Sequence, residues 1–448
     1  MSIGNYWIRK TAMAVLLAAF SAAGISAQDS TRPLSMEAAV SAALLNNTSI
    51  RQAALDERIA TANYKQTDAV YLPQLGLSYT AFSTNNPLNA FGFKLQQKSI
   101  SQSDFNPDLL NHPSATPDFT TKLELQQPII NTDMLYRRKA AARQIDLYQY
   151  KTRRTKDYLA YEVQKAWLQL KLAYDAVAVL EGALQTTKAV DTFTENHFKQ
   201  GLIQKSDLLN AALQVTTVAS NLAKANSQVR NASDYLSMLM GTKNGIVYSV
   251  NNSSVIPAAA TDSGAGINAS RADFLAMQKA IEAADLMITA AKKTWLPRLN
   301  AFGSYQLNDS RMLGFGAHAY LAGVQLSWDI FKGNTTKNNI AAQTLQRNKL
   351  AEQLSQQKEQ AQMELNKAFR DLADARFEIQ QQTQAVEQAS EALMILQNRY
   401  RQGLVNTTDV LLAGTQLAQQ KFALAQASFN AGSTKALIDL LTASNNTQ

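Results

Sequence analysis

The chain of 448 residues carries the same series of sequence patterns in each of its two halves, and this duplication limits the folds open to it. The tetrapeptide Leu-Pro-Gln-Leu at 72–75 recurs as Leu-Pro-Arg-Leu at 296–299, and the dipeptide that begins at Gly201 recurs at Gly403. In each copy a predicted helix precedes two predicted strands, and a very long helical segment follows them. We therefore predict an internal two-fold repeat.

The long helical segments have apolar residues spaced alternately three and four positions apart. In the second copy this heptad seam comprises Leu365, Ala368, Leu372, Ala375, Ile379, Gln382, Val386, Ala389, Leu393, Leu396 and Tyr400. The first copy keeps the same phase from Val163 to Phe198. A 3.5-residue repeat packs one side of a helix against a neighbour and causes left-handed supercoiling. The segment 334–402 has no proline, so it predicts a rod of about 100 Å.

Four shorter segments alternate apolar and other residues with period two, which predicts strands at 75–81, 119–127, 299–305 and 320–328. Their lengths are close to the roughly 9–11 residues of a tilted membrane strand. The segment within 83–118, rich in Asn, Ser and Pro, predicts a long loop between the first two strands.

The N-terminus predicts export. Arg9 and Lys10 precede an apolar stretch, and the small residues up to Ala27 resemble a cleavage site, so we assign 1–27 to a signal peptide. After it, no apolar run is long enough for a transmembrane helix. The chain has no cysteine, which excludes a lipid anchor on an N-terminal cysteine, disulfides and thiol chemistry. The formal net charge of +8 predicts no nucleic-acid partner in an exported protein.

These patterns divide the chain into four parts. The signal peptide is followed by a first repeat over 28–241, a linker rich in Asn, Ser, Gly and Ala over 242–270, and a second repeat over 271–448. Each repeat is expected to hold a helix, a β-hairpin and a long helical hairpin whose arms reverse at Gly201 or Gly403.

Four amphipathic strands cannot stand alone in lipid, because each unpaired backbone group at a sheet edge would cost several kcal/mol. Closing a barrel therefore requires several chains. Two chains would give eight strands, whose interior is filled by side chains, whereas three would give twelve strands and an open lumen. Long rods with an apolar seam must likewise pack beside other rods.

The order of elements resembles the TolC-like outer-membrane efflux protein family, also called outer membrane factors. The helix opening at Ser35-Met36-Glu37, the Tyr71-Leu72-Pro73 segment and the two glycine turns carry the resemblance over almost the whole mature chain. It implies a membrane α+β fold: a homotrimeric 12-stranded β-barrel, four strands per chain, continuous with a periplasmic α-helical coiled-coil barrel. It also implies an outer-membrane location in a Gram-negative bacterium, contact with outer-membrane lipid, and an exit duct for efflux or type I secretion.

The resemblance implies two kinds of site residue. A periplasmic adaptor, delivering cargo from an inner-membrane transporter, would dock at the turns, on Gly201, Leu202, Gly403 and Leu404. The periplasmic entrance would be held closed by polar groups of Ser206, Asp207, Tyr400 and Asp409. On physical grounds alone the glycines are helix-reversing turns with positive φ, and the two aspartates are helix N-caps. Asp191 and Thr194 interrupt the apolar seam, so they face water there or line the entrance.

No enzyme, cofactor or metal site is predicted. The three histidines, His112, His197 and His318, have no ligand-spaced partners, and no nucleotide-binding glycine loop or nucleophile elbow is present. Two other classes fit the helical hairpins: an exported periplasmic coiled-coil scaffold and an adaptor protein. The paired strands in both repeats favour the channel.

Overall fold

The computed structural model describes residues 31–250 and 266–442. The predicted signal peptide and the greater part of the predicted linker lie outside these residues. The helices in the described ranges are α1 Met36–Asn46, α2 Thr48–Gln66, α3 Pro87–Gln96, α4 Pro107–Asn111, α5 Thr132–Lys199, α6 Lys205–Met240, α7 Ala272–Lys293, α8 Thr335–Arg401 and α9 Thr407–Thr442. None of them is both long and apolar enough to span a membrane.

The two long arms form as predicted. Helix α5 has 68 residues and α8 has 67, and α8 matches the predicted segment 334–402 to within one residue at each end. Every member of the heptad seam on α8 is buried or half-buried, and on α5 the matching positions are also covered except for Phe198. The 3.5-residue spacing therefore does identify the packed side of both helices.

The strands are β1 Arg32–Pro33, β2 Gln74–Thr84, β3 Thr116–Ile130, β4 Tyr248–Ser249, β5 Arg298–Asp309 and β6 Ala317–Ser327. Four of them make one antiparallel sheet in the order β2-β3-β5-β6, and the short β1 and β4 pair separately. In the sheet Leu77 lies opposite Leu123, Leu123 opposite Tyr305, and Tyr305 opposite Tyr320. The four predicted strands are confirmed, and they extend up to four residues beyond the predicted ends, except that β6 ends at Ser327, one residue before its predicted end.

The predicted loop within 83–118 is wrong in part, because the segment holds α3, a 3₁₀ turn over Gln102–Phe105 and α4. Both helices begin with Asn followed by Pro. The Asn86 and Asn106 side chains accept hydrogen bonds from first-turn amides, and proline is suited to the first helical position. The same dipeptide is common in turns, which explains the incorrect prediction.

The chain divides into two compact units. The first contains the described residues of 31–48, 157–250 and 366–440. In it α1 packs on α6, where the Asn47 side-chain amide donates to the Leu239 carbonyl at 2.7 Å. The Trp167 indole donates to the Leu34 carbonyl at 2.9 Å. These two hydrogen bonds, one buried and one partly buried, fix the segment 34–47 on the helices.

The second unit contains residues 49–156, 266–365 and the described part of 441–448, so it includes the four-stranded sheet. Beside its small core of Phe274, Leu354 and Ala361, the Arg271 guanidinium pairs with Asp273 through two hydrogen bonds of 2.7 Å. The Arg271 side chain is 4% exposed, and its Nη1 is buried without a hydrogen-bond partner. Burial would raise the pKa of Asp273, but the hydrogen bonds and charge of Arg271 outweigh it and lower that pKa.

Asp273→Asn is expected to destabilise this unit by about 3 kcal/mol, because it leaves the buried Arg271 without its counter-charge. The loss of stability is measured as a fall in the midpoint temperature of thermal unfolding in detergent. The matched control is Asp285→Asn on the same helix, whose pair with Arg347 is exposed and should contribute little. Because the folded-state pKa of Asp273 is lowered, the ion pair stabilises the unit at neutral pH. This stabilisation is lost as the pH falls below the pKa of an ordinary carboxyl group and through the lowered pKa of Asp273. Equal midpoints for the two variants would contradict this account.

Candidate functional site

The first helical reversal connects α5 to α6 through a glycine with φ of 74° at Gly201. The Gly201 amide donates to the Phe198 carbonyl at 2.9 Å, and the Leu202 amide donates to the His197 carbonyl at 3.0 Å. These two bonds define a Schellman motif, which satisfies the last carbonyls of the helix. A Cβ at Gly201 would meet no atom within 4 Å, so the left-handed backbone, not crowding, accounts for the glycine.

The second reversal, from α8 to α9, repeats this geometry. Gly403 has the same φ of 74°, its amide donates to the Tyr400 carbonyl at 2.9 Å, and the Leu404 amide donates to the Arg399 carbonyl at 3.0 Å. The predicted positive φ at both glycines is confirmed. Both turns also present an apolar side chain to the outside, since Leu202 is 64% exposed and Leu404 is 68% exposed.

Asp207 and Asp409 lie in the first turn of the helices after the reversals, but neither is the N-cap. For α6 the N-cap is Gln204, and the Asp207 carboxylate accepts from the Gln204 amide at 3.4 Å. The Asp409 carboxylate accepts from the Asn406 amide at 3.2 Å in the same way. The N-cap assignment is therefore wrong by three residues, because Asp207 is the third-position partner of a capping box and Asp409 makes the same hydrogen bond back to the residue before its helix. Ser206 is exposed in the first turn of α6.

Tyr400 is buried within its own chain. Its ring packs in a cluster with Val190, Leu393 and Val410, and its hydroxyl lies 2.8 Å from the hydroxyl oxygen of Thr194 and 2.8 Å from that of Thr407. Thr194 itself donates to the Val190 carbonyl. The Tyr400 hydroxyl must then donate to Thr194 and accept from Thr407, which connects three helices.

The prediction that Thr194 faces water or lines an entrance is wrong, since its side chain is fully buried, whereas Asp191 is half-exposed. The hydrogen-bonded series of hydroxyl groups on Thr194, Tyr400 and Thr407 was not predicted from the sequence. The available signal was the heptad seam, which includes both Thr194 and Tyr400 and therefore places two hydroxyls on packed helix faces.

The sheet has two chemically different faces. The first exposes large apolar side chains on the outer strands, including Leu75, Leu77, Tyr320, Val324 and Leu326. The opposite face, by the observed register, carries mainly hydroxyl, amide and charged side chains: Ser78, Thr80, Thr120, Lys122, Glu124, Gln126, Asn300, Ser304, Gln306 and Gln325. Within the part of the chain that the structure describes, strands β2 and β6 each have one unpaired edge.

The three histidines belong to different elements. The His197 ring packs against Phe193 with 4.1 Å between centroids, His318 stacks on Tyr305, and His112 is the C-cap of α4. Across 31–250 and 266–442 no group of three or more His, Asp or Glu side chains is placed to hold a metal ion.

An amphipathic antiparallel sheet with open edges, together with long seamed helices reversed at glycine turns, defines the class of outer-membrane channel subunits. The chain belongs to the outer membrane efflux protein family, whose model matches residues 39–242 and 267–446. The predicted TolC-like family is confirmed, and the protein is an outer-membrane efflux channel. Family membership decides against the scaffold and the adaptor.

Curated relatives agree with this assignment. The chain is 23% identical over 392 residues to the probable outer membrane lipoprotein SilC of Salmonella typhimurium, covering 84% of this chain and 78% of that protein. It is 22% identical over 397 residues to the cation efflux system protein CusC of Escherichia coli K12, covering 84% and 79%.

Solved structures share the fold. A crystal structure of CusC superimposes with a TM-score of 0.76 at 18% identity, covering 92% of each chain. The CmeC outer membrane channel of Campylobacter jejuni gives 0.76 at 17% identity, covering 91% of this chain and 85% of that one. At these identities the likeness establishes the fold.

Proposed function

We propose that three copies of this chain close one 12-stranded β-barrel in the outer membrane and form the exit duct of a tripartite system. The open edges of β2 and β6 support this proposal, because each would pair with the other edge strand of a neighbouring copy. The strand directions are compatible, since the four strands alternate and β6 would meet the next β2 antiparallel. Twelve strands leave a lumen, whereas eight are filled by side chains.

The apolar face of the sheet supports its placement against lipid. Leu77 is 75% exposed and Tyr320 is 83% exposed, so in water this face would be a large apolar surface prone to aggregation. Aromatic side chains at the helix-proximal ends of the strands, Tyr71, Trp295 and Trp328, are also about half exposed. Such aromatic residues are typical of the interface between hydrocarbon and water.

The long helices form the periplasmic part in this proposal. Rods of 68 and 67 residues reach about 100 Å, and their seams would pack them side by side into a helical barrel continuous with the sheet. Each half of the described chain supplies two strands followed by a long helix and a shorter one. This order is expected of a two-fold repeat with its first copy at 28–241, a linker at 242–270 and its second copy at 271–448.

The glycine turns dock a periplasmic adaptor that connects the duct to an inner-membrane transporter. Gly201 and Gly403 set the backbone, and the exposed Leu202 and Leu404 supply apolar contacts. Burial of a leucine contributes about 2 kcal/mol, and three copies present six such turns. The duct itself performs no catalysis, so the transporter supplies the energy.

The entrance of the duct is formed beside these turns. Ser206 and Asp409 are exposed and Asp207 is half-exposed, so their polar groups are available to a neighbouring subunit. Tyr400 acts differently, as a positioning residue whose hydroxyl holds α5, α8 and α9 together inside one subunit.

Disulfide cross-linking tests the barrel directly, because the chain has no native cysteine. Cysteine at Ser78 on β2 is combined in turn with cysteine at Ala319, Leu321 or Gln325 on the same face of β6. At least one pair should yield covalent dimers and trimers under oxidation. Pairing Ser78 with the opposite-face residue Tyr320 is the control. If no same-face pair cross-links, or if the ladder continues beyond three subunits, the barrel is not trimeric.

A further inference from the structure

The connection between β2 and β3 folds back over one face of the sheet. This segment, residues 85–115, is called the exit insertion below; it contains α3 and α4. It lies at the strand ends opposite to those that adjoin α2 and α5. In a channel whose long helices are periplasmic, these are the outward-facing ends of the strands.

Side chains of β2, β3 and β5 contact the exit insertion. The Phe93 ring of α3 stacks on Phe82 of β2 with 5.9 Å between centroids. The Gln97 side-chain amide donates to the Asp118 carboxylate of β3 at 2.9 Å and to the Pro117 carbonyl at 2.8 Å. The Asn308 amide of β5 reaches the Gln96 side chain at 3.5 Å.

A buried polar network lies beneath these contacts. Asp118 is 1% exposed and Asn308 is 2% exposed. The Asn308 amide donates to Asp118 at 3.1 Å and to the Thr120 hydroxyl at 2.7 Å, and the Thr120 hydroxyl lies 2.6 Å from Asp118. Because buried polar groups with several partners fix a single arrangement, the exit insertion is seated in a defined position.

The strand side chains that hold the exit insertion, Phe82, Asp118 and Asn308, lie on the polar face of the sheet. Phe82 is opposite Asp118, and Thr120 is opposite Asn308, in the same alternation as Lys122. The other connection, from β5 to β6, behaves differently: its Leu313 amide donates to the Tyr79 hydroxyl at 3.0 Å, on the apolar face. The exit insertion is therefore the connection placed over the face that would line the pore.

The exit insertion is folded rather than loose. Lys94 and Asp104 form an ion pair at 2.7 Å, and the Phe91 and Phe105 rings meet edge to face at 5.8 Å. Hydrogen bonds from Lys94 and from the Ser101 amide and hydroxyl lower the pKa of Asp104 to about 2, so this carboxylate stays ionised at neutral pH. The segment can therefore keep its shape in the path of a solute.

We propose that the exit insertion constricts the outward mouth of the pore and limits the size of the molecules that pass. This inference rests on the proposed trimeric channel, in which three copies would project over one lumen. The segment contains two lysines and two aspartates, Lys94, Lys98, Asp104 and Asp108, so it has no formal charge excess. Selection at this mouth therefore acts on bulk and not on charge sign, as pore diameter does in other channels.

The test measures, from outside the cell, how large a reagent can pass the exit insertion. In the cysteine-free chain, Ser304→Cys places one thiol on the polar face of β5, below the exit insertion. Intact cells are treated with maleimide reagents carrying polyethylene glycol of increasing length. A second chain replaces residues 88–112 with a short Gly-Ser linker. We expect equal labelling by the smallest reagent and about tenfold faster labelling by the largest reagents without the insertion.

A double variant, Phe93→Ala with Gln97→Ala, removes two of the contacts that hold the exit insertion without deleting the segment. It serves if the deletion variant does not assemble, and it should also be labelled faster by large reagents. Replacing the β5–β6 connection with the same linker is the control and should change nothing. Equal size dependence with and without an attached exit insertion would overturn the constriction. If even the smallest reagent fails to label either chain, the polar face is not a pore lining, and the proposed channel fails with it.

Discussion

Arginine at Leu77 and Tyr320 is expected to keep the protein out of the outer membrane. Both side chains lie on the apolar face of the edge strands, at the level of Leu123 in the middle of β3. An arginine facing lipid at the bilayer midplane costs about 2–4 kcal/mol, so the double variant should lose roughly 4–8 kcal/mol per chain. Quantifying the protein in outer-membrane fractions measures the effect.

The matched control moves each arginine one residue along the same strand. Ser78→Arg with Leu321→Arg adds the same charges on the opposite face, which would line a water-filled lumen. This variant should assemble at near wild-type levels. Equal amounts of the two double variants in the outer membrane would show that the apolar face does not contact lipid.

Aspartate at Leu202 and Leu404 is expected to abolish capture of the adaptor while leaving the assembled channel intact. Each substitution removes about 2 kcal/mol of apolar burial and adds the desolvation of a carboxylate. Because every subunit carries both turns, the retained adaptor should fall at least about a hundredfold in a pulldown. Cells carrying this variant should also lose efflux to the extent seen without the channel.

Substitutions at the glycines of the same turns distinguish the contribution of the backbone conformation to adaptor binding from that of the leucine side chains. Asn tolerates the left-handed conformation, whereas a β-branched residue does not, so Gly403→Asn should bind the adaptor and Gly403→Val should bind it weakly. The open space around both glycines excludes a packing explanation for the difference. Unchanged capture by the double aspartate variant would remove the docking role from the turns.

The sequence was sufficient for the helices and strands because their signals are local. The alternation of three- and four-residue steps from Leu365 to Tyr400 identifies the packed side of α8 without any knowledge of its partner. Period-two alternation similarly separates the two faces of β2. Glycine before an apolar residue was enough to locate each reversal, because few residues adopt positive φ.

The sequence was insufficient where a structure depends on distant residues. Nothing near Thr194 in the sequence indicates that its hydroxyl is bonded to that of Tyr400, so its break in the apolar seam was misread as exposure. The helices of the exit insertion were not predicted for a related reason. Its short helices are stable on the sheet through Asp118 and Asn308, and a short helix without tertiary contacts would be marginal.

The mass of the intact assembly, extracted from the outer membrane in mild detergent and measured by native mass spectrometry, tests the central claim most directly. The proposal requires three mature chains per particle, because four strands from each complete one 12-stranded barrel with no free edge. A particle of one chain that stays dissolved without detergent would contradict it.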